Sequence, residues 1–170
     1  IDSYILSIHG CITPQELNEV APKLLRNNGS INRFLIQRVE KEQTLPFPNP
    51  FKKSLFSQEI GQLKQSIKFA QTQNFVEIHA NSKKRWGEIY GELDKEKEDE
   101  CLGPLIARAE THILRISGII AISELSKYIH VSHLNKAYEI WQSCSISADE
   151  IFCSCNADKN LKKLMSALED

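Results

Sequence analysis

No stretch of this 170-residue sequence is suited to cross a bilayer: its longest apolar run, Ile113 to Leu125, is interrupted by Arg115, Ser117, Ser123 and Glu124, too short and too polar for a span. No glycine opens a G-x-x-x-x-G-K-[ST] phosphate loop, so the part that would cradle a triphosphate is missing. No serine or cysteine nucleophile has a matched histidine and acid, and no carboxylate pair stands out from the surface charge, which argues against covalent acyl transfer and glycoside hydrolysis. Internal repeats and low-complexity segments are absent. With 21 basic and 22 acidic side chains the net charge is −1, so no global field draws the chain to nucleic acid, and such binding needs a local patch.

Cysteine is sparse. Cys11, Cys101, Cys144, Cys153 and Cys155 are odd in number and lack the regular spacing of a secreted scaffold, a pattern expected of reduced thiols in the cytosol. His130-x-x-His133 with Cys153-x-Cys155 lacks structural-zinc spacing, in which paired cysteines stand roughly two to four apart, and no metal is expected. Asn28-Gly29-Ser30 is formally a glycosylation sequon but reads as a turn.

What is present begins with a buried-strand run, Tyr4-Ile5-Leu6-Ser7-Ile8, that ends in His9-Gly10. Thr13 then caps a helix with Pro14 at its first position and Glu16 as the return partner of a capping box; Leu17, Val20, Ala21, Leu24 and Leu25 recur at helical spacing. The helix is expected to stop at Asn27-Asn28-Gly29. A second strand is expected from Arg33 to Val39, followed by a loop fixed by Pro46, Pro48 and Pro50. A strand with a polar residue at its tip and a second that opens on an arginine is how a nucleotide-hydrolysing core builds a phosphate sensor and an arginine finger.

Farther on, apolar spacing predicts a helix from Ser54 to about Gln73, an edge strand over Phe75 to His79, and a helix capped by Asn81 or Ser82 that carries Trp86, Ile89, Tyr90 and Leu93. The charged run Asp94 to Glu100 reads as its solvated end. Pro104 is expected to open one long apolar helix to about Leu125, Ser132 to cap another that reaches Ile151-Phe152, and Asn160 to Asp170 to form a last short helix. The fold class expected is α+β and predominantly α-helical, with a small α/β piece over residues 1–50 leading into a helical bundle over 51–170. Because the chain opens on Ile1 beside a strand with no preceding partner, and its only methionine is Met165, a fragment is expected.

Taken in order, Gly10 with Ile12-Thr13-x-x-Glu16-Leu17, then Gly29-x-x-Asn32-Arg33-Phe34-Leu35, the Leu45-Pro46 loop, Arg108-Ala109-Glu110-Thr111-His112-Ile113-Leu114-Arg115-Ile116, His133-Leu134-Asn135-Lys136-Ala137 and Ser143 to Phe152 resemble the C-terminal part of the DUF3987 family, helicase-like and primase-associated proteins of bacteria, phages and mobile elements. The resemblance implies that residues 1–50 are the last strands and helix of a RecA-like ATPase core, and that 51–170 is a helical domain ending about where a winged-helix region begins. It implies ATP and Mg²⁺ as cofactors of the parent protein, none for this piece alone, and an upstream phosphate-loop half, single-stranded DNA and further copies in a homo-oligomer as partners, without a membrane.

On this reading His9 is the γ-phosphate sensor and Arg33 the finger, since a guanidinium offers transferred phosphoryl oxygens a rigid fork of donors; the competing readings are a strand-end histidine and an ion pair of Arg33 with Glu16 or Glu19. Asn32 is a turn residue that fixes Arg33, or a ligand. Arg108, His112 and Arg115 share one helical stripe and either reach phosphate or pair with Glu110, Glu124 or Glu139. The other class of function is a non-catalytic helical module that grips a partner protein or single-stranded nucleic acid through Lys83, Lys84, Arg85 and Trp86.

Overall fold

The computed structural model describes residues 7–20, 30–44, 46, 47, 50 and 52–154. The expected strand start at Tyr4, the helix stop at Asn27-Asn28-Gly29, Cys155 and the helix from Asn160 lie outside these residues.

The first helix, α1, is helical over the described residues 14–20 and begins as its sequence dictates. Thr13 Oγ1 donates to Glu16 Oε2 at 2.8 Å and accepts from the Glu16 amide at 3.2 Å, while the Thr13 amide reaches Glu16 Oε2 at 3.3 Å, the reciprocal bonds of a capping box. Leu17 on its inner face is buried, and Asn18 Nδ2 donates to the Ile151 carbonyl at 2.9 Å. A short 3₁₀ turn, Ile31–Arg33, follows.

Where the two expected strands fall on described residues, at 7–8 and 35–39, there is no strand pairing. Phe34 is extended, at φ −99° and ψ 141°, but an extended backbone becomes a strand only beside another that completes its ladder. The segment is instead held by side chains. Gln37 Nε2 reaches Ser147 Oγ at 3.3 Å, Ser143 Oγ reaches Gln37 Oε1 at 3.2 Å, and Arg38 pairs with Glu150 at 3.2 Å.

Helix α2, Ser57–Gln71, follows a 3₁₀ turn, Lys53–Phe56. The expected edge strand shortens to β1, Glu77–Ile78, which pairs in parallel with β2, Tyr128–Ile129, in the register Glu77↔Tyr128 and Ile78↔Ile129. Helix α3 is Lys83–Glu96.

The long apolar helix divides into α4, Gly103–Ile106, and α5, Ala109–Ser123, because Arg108 leaves helical geometry at φ −115° and ψ 18°. Neither glycine nor proline marks the break. It is tertiary: α4 packs against the Ile31–Arg33 turn and α5 against the last helix, and such contacts override local propensity. Gly103 is required, since a Cβ there would lie 2.4 Å from the Lys97 carbonyl oxygen.

Helix α5 ends in a Schellman arrangement: the Ser126 amide donates to the Ala121 carbonyl at 2.8 Å and the Leu125 amide to that of Ile122 at 3.0 Å, with Leu125 at φ 59°. A leucine occupies the left-handed position that glycine usually takes. Helix α6, Val131–Asp149, is capped at His130 rather than at Ser132 and runs into a π turn, Glu150–Ser154.

Ile89 and Leu93 of α3, Ile106 of α4, Ile113 of α5 and Leu134 of α6 are sealed from solvent, and Leu17, Ile31, Ile151 and Phe152 belong to the same core. The described chain is therefore predominantly helical with one two-stranded parallel sheet, an α+β arrangement. Ile113→Ala is expected to cost about 2–5 kcal/mol, seen as a lower urea midpoint at unchanged m; a loss below about 1 kcal/mol would mean that the α5–α6 seam repacks around the void.

The expectation of reduced thiols fails at two positions. Cys101, in the loop before α4, is bonded to Cys153 in the π turn, with Cα atoms 5.9 Å apart. Spacing along the chain carried no sign of this pairing, which the fold alone creates by closing α6 over α4. Cys11 and Cys144 are free, the first exposed and the second buried.

Candidate functional site

The Ile31–Arg33 turn is built from its ends inward. Ile31 is buried, and its carbonyl accepts the Phe34 amide at 3.1 Å; the Ser30 carbonyl accepts the Arg33 amide at 3.2 Å. Ile31 lies in an apolar depression with Leu105 and Ile106 of α4 and Trp141 and Ala148 of α6. Arg33, at the end of the turn, is exposed.

His112 meets this turn from α5. Its Nε2 lies 3.0 Å from the Asn32 carbonyl oxygen, and its ring stacks on Trp141 at 6.0 Å between centroids and 11° between planes. His112 is 8% and Trp141 4% exposed. Asn32 Oδ1 is also buried, with no hydrogen-bond partner among the described residues.

The structure thus joins Asn32 and His112 directly and leaves Arg33 beside them at the surface. It separates the rest of the expected stripe: Arg108 is half-buried at the start of α5, and Arg115 is exposed. Of the acids considered for these arginines, Glu110 binds Lys97, and Glu124 binds His133 and Lys136. His9 is exposed in a segment without regular structure.

Comparison of the chain with protein-family models, curated proteins and solved structures gives no match. The site therefore rests on its own geometry.

The basic corner on the first turn of α3 is divided. Lys83 and Lys84 are exposed. Arg85 donates from Nε to Asn135 Oδ1 at 2.9 Å, lies within 3.4 and 3.7 Å of the Glu88 and Glu92 carboxylates, and sits 5.8 Å from the Tyr138 ring centroid. These contacts spend its charge on the α3–α6 joint. Trp86 is half-buried against the core, edge-on to Tyr90. Tyr138 in turn donates to Glu92 Oε2 at 2.7 Å, and burial followed by that carboxylate pushes its hydroxyl pKa well above the usual tyrosine value.

A second cluster lies where the sheet meets α6. The His130 amide donates to His133 Nδ1 at 3.1 Å, so the other ring nitrogen, Nε2, carries the proton given to Glu124 Oε2 at 3.0 Å. His79 packs against His130 at 5.0 Å between ring centroids. Hydrogen bonds from Lys136 and then His133 hold the Glu124 carboxyl below the ordinary carboxylate range. With both nitrogens engaged, His133 is a buried helix-capping residue. Among the described residues, no group of histidine, cysteine and acidic side chains is arranged to hold a metal.

Two contributors were not legible in the sequence. Gln37 spans Ser143 and Ser147, which stand one turn apart on α6, and approaches the Cys144 sulfur at 3.6 Å. Burial raises the Cys144 thiol pKa and so keeps it protonated and unreactive. Trp141 reads as core in any helical pattern; only the fold shows that it orients a histidine.

No helix among the described residues is long and apolar enough to cross a membrane.

Proposed function

We propose that this chain is the C-terminal portion of a helicase-like, primase-associated ATPase of DNA replication in phage or mobile elements, similar to the DUF3987 family. In this reading it has no activity alone and contributes Arg33, with His9, to a nucleotide site whose phosphate loop lies in the RecA-like part of the same protein. ATP and Mg²⁺ bind there, single-stranded DNA is the polymer acted upon, and Arg33 works in its own subunit or across a boundary between copies.

The observation that carries the proposal is the exposed Arg33 at the end of a turn whose backbone is anchored from beneath by Ile31 and His112. A finger must present its guanidinium to solvent or a neighbouring subunit while its backbone stays fixed, since positioning supplies most of the catalysis in phosphoryl transfer. Arg85 of the basic corner is paired with acids, which weakens the case for a free-standing nucleic-acid module.

The test is ATP hydrolysis by the complete protein that carries this chain together with a phosphate loop, with and without single-stranded DNA. Hydrolysis stimulated by DNA is expected. Absence of hydrolysis in both conditions would sink the motor reading and leave a binding role for the helical part.

A further inference from the structure

We propose that His112 is the positioning residue of the arginine turn, a buried imidazole that holds the peptide before Arg33 and does not itself meet a nucleotide. This rests on the reading of Arg33 as a finger.

A carbonyl oxygen only accepts, so the His112 nitrogen 3.0 Å from the Asn32 oxygen carries a hydrogen. That nitrogen is occupied by the bond, and the ring around it is buried and stacked on Trp141. A phosphate sensor must keep a donor free for phosphate; His112 has committed this donor to the turn.

The bond joins residues 80 apart in sequence and acts on one particular peptide unit. The Asn32 carbonyl and the Arg33 amide belong to the same plane, since the peptide bond does not rotate. His112 holds the oxygen of that plane, and the Ser30 carbonyl holds its N–H at 3.2 Å. With both ends tied, the Arg33 backbone is fixed while the residue stays exposed at the surface.

Trp141 extends the chain of contacts into α6. Its ring sets the plane of His112, His112 sets the Asn32 carbonyl, and that carbonyl sets Arg33. The helical part is thereby connected to the nucleotide site through packed groups, without a charged relay. A misplacement of about 1 Å is enough to cost roughly 100-fold in rate when positioning is the catalytic device.

The experiment compares the complete protein with its His112→Phe, His112→Gln and Arg33→Ala variants. His112→Phe keeps a flat ring on Trp141 and loses the donor; His112→Gln restores an N–H donor of similar reach. Two quantities are read: kcat and KM for ATP, and the rate at which trypsin cuts after Arg33, which requires the turn to open.

The expected result for His112→Phe is a kcat lower by about tenfold or more with KM for ATP little changed, and faster cleavage after Arg33, both reversed in part by His112→Gln. Unchanged cleavage in His112→Phe overturns the proposal, whatever happens to kcat. So does faster cleavage with full kcat in a protein that Arg33→Ala inactivates. If Arg33→Ala hydrolyses ATP at the wild-type rate, the finger reading falls by itself, and the cleavage rates still decide whether His112 holds the turn. If His112→Phe fails to fold, His112→Gln against His112→Ala gives the same comparison.

Discussion

Arg33→Ala in the complete protein is expected to lower kcat for ATP hydrolysis by about 10³-fold or more while ATP binding stays near its wild-type affinity, because a finger acts on charge that develops only in the transition state. Loss of uniform binding would appear in KM, and loss of a transition-state contact appears in kcat. The structure sharpens the expectation, since Arg33 lies at the surface while its peptide is tied to Ser30 and, through Asn32, to His112. Truncating its side chain beyond Cβ removes no core packing, since the residue is exposed. Arg33→Lys should recover little, because an ammonium lacks the planar fork that spans two phosphoryl oxygens. Equilibrium binding of a fluorescent ATP analogue beside steady-state hydrolysis separates the two terms. Hydrolysis indifferent to Arg33→Ala would reduce this arginine to a surface residue, and a parallel loss of nucleotide binding would make it a ground-state ligand.

How much of this was legible in the sequence depends on how local each feature is. The Thr13–Glu16 box is written in residues three apart, and it forms as read. The helices from Ser57 and Lys83 and the long α6 follow from apolar spacing over several turns. Features that depend on a distant partner were not legible. Residues 35–39 have strand composition, but no neighbouring backbone among the described residues pairs with them; Gln37 finds α6 instead and Arg38 the π turn that follows it. Helical phase groups His112 with Arg108 and Arg115, yet what defines it is a carbonyl 80 residues away and a tryptophan on another helix. Likewise Arg85 read as half of a basic corner, and only the closeness of α3 and α6 shows it to be a joint.

The Cys101–Cys153 bond is the feature most at odds with the sequence reading, and opening it is expected to have the largest effect on stability of any change away from the core. It joins residues 52 apart, and closing a loop of that size restricts the unfolded chain by about 4 kcal/mol in the chain-entropy account. For a domain of this length each kcal/mol corresponds to roughly 2–4 °C, so reduction should lower Tm by about 10 °C. A dithiol reductant reaches the bond from the exposed Cys101 side; its two thiols become a disulfide as the two cysteines become thiols. The effect should begin locally. Cys153 closes the π turn over the buried Ile151 and Phe152, and the Ile151 carbonyl receives Asn18 from α1, so amide exchange in residues 149–154 should rise before the sealed residues of α5 are affected. The Cys101→Ser, Cys153→Ser double variant should unfold at the temperature of the reduced protein and be insensitive to reductant. A Tm that does not move with reductant, together with alkylation of both cysteines in the untreated protein, would restore the reading of free thiols and leave the α4–α6 junction held by apolar packing alone.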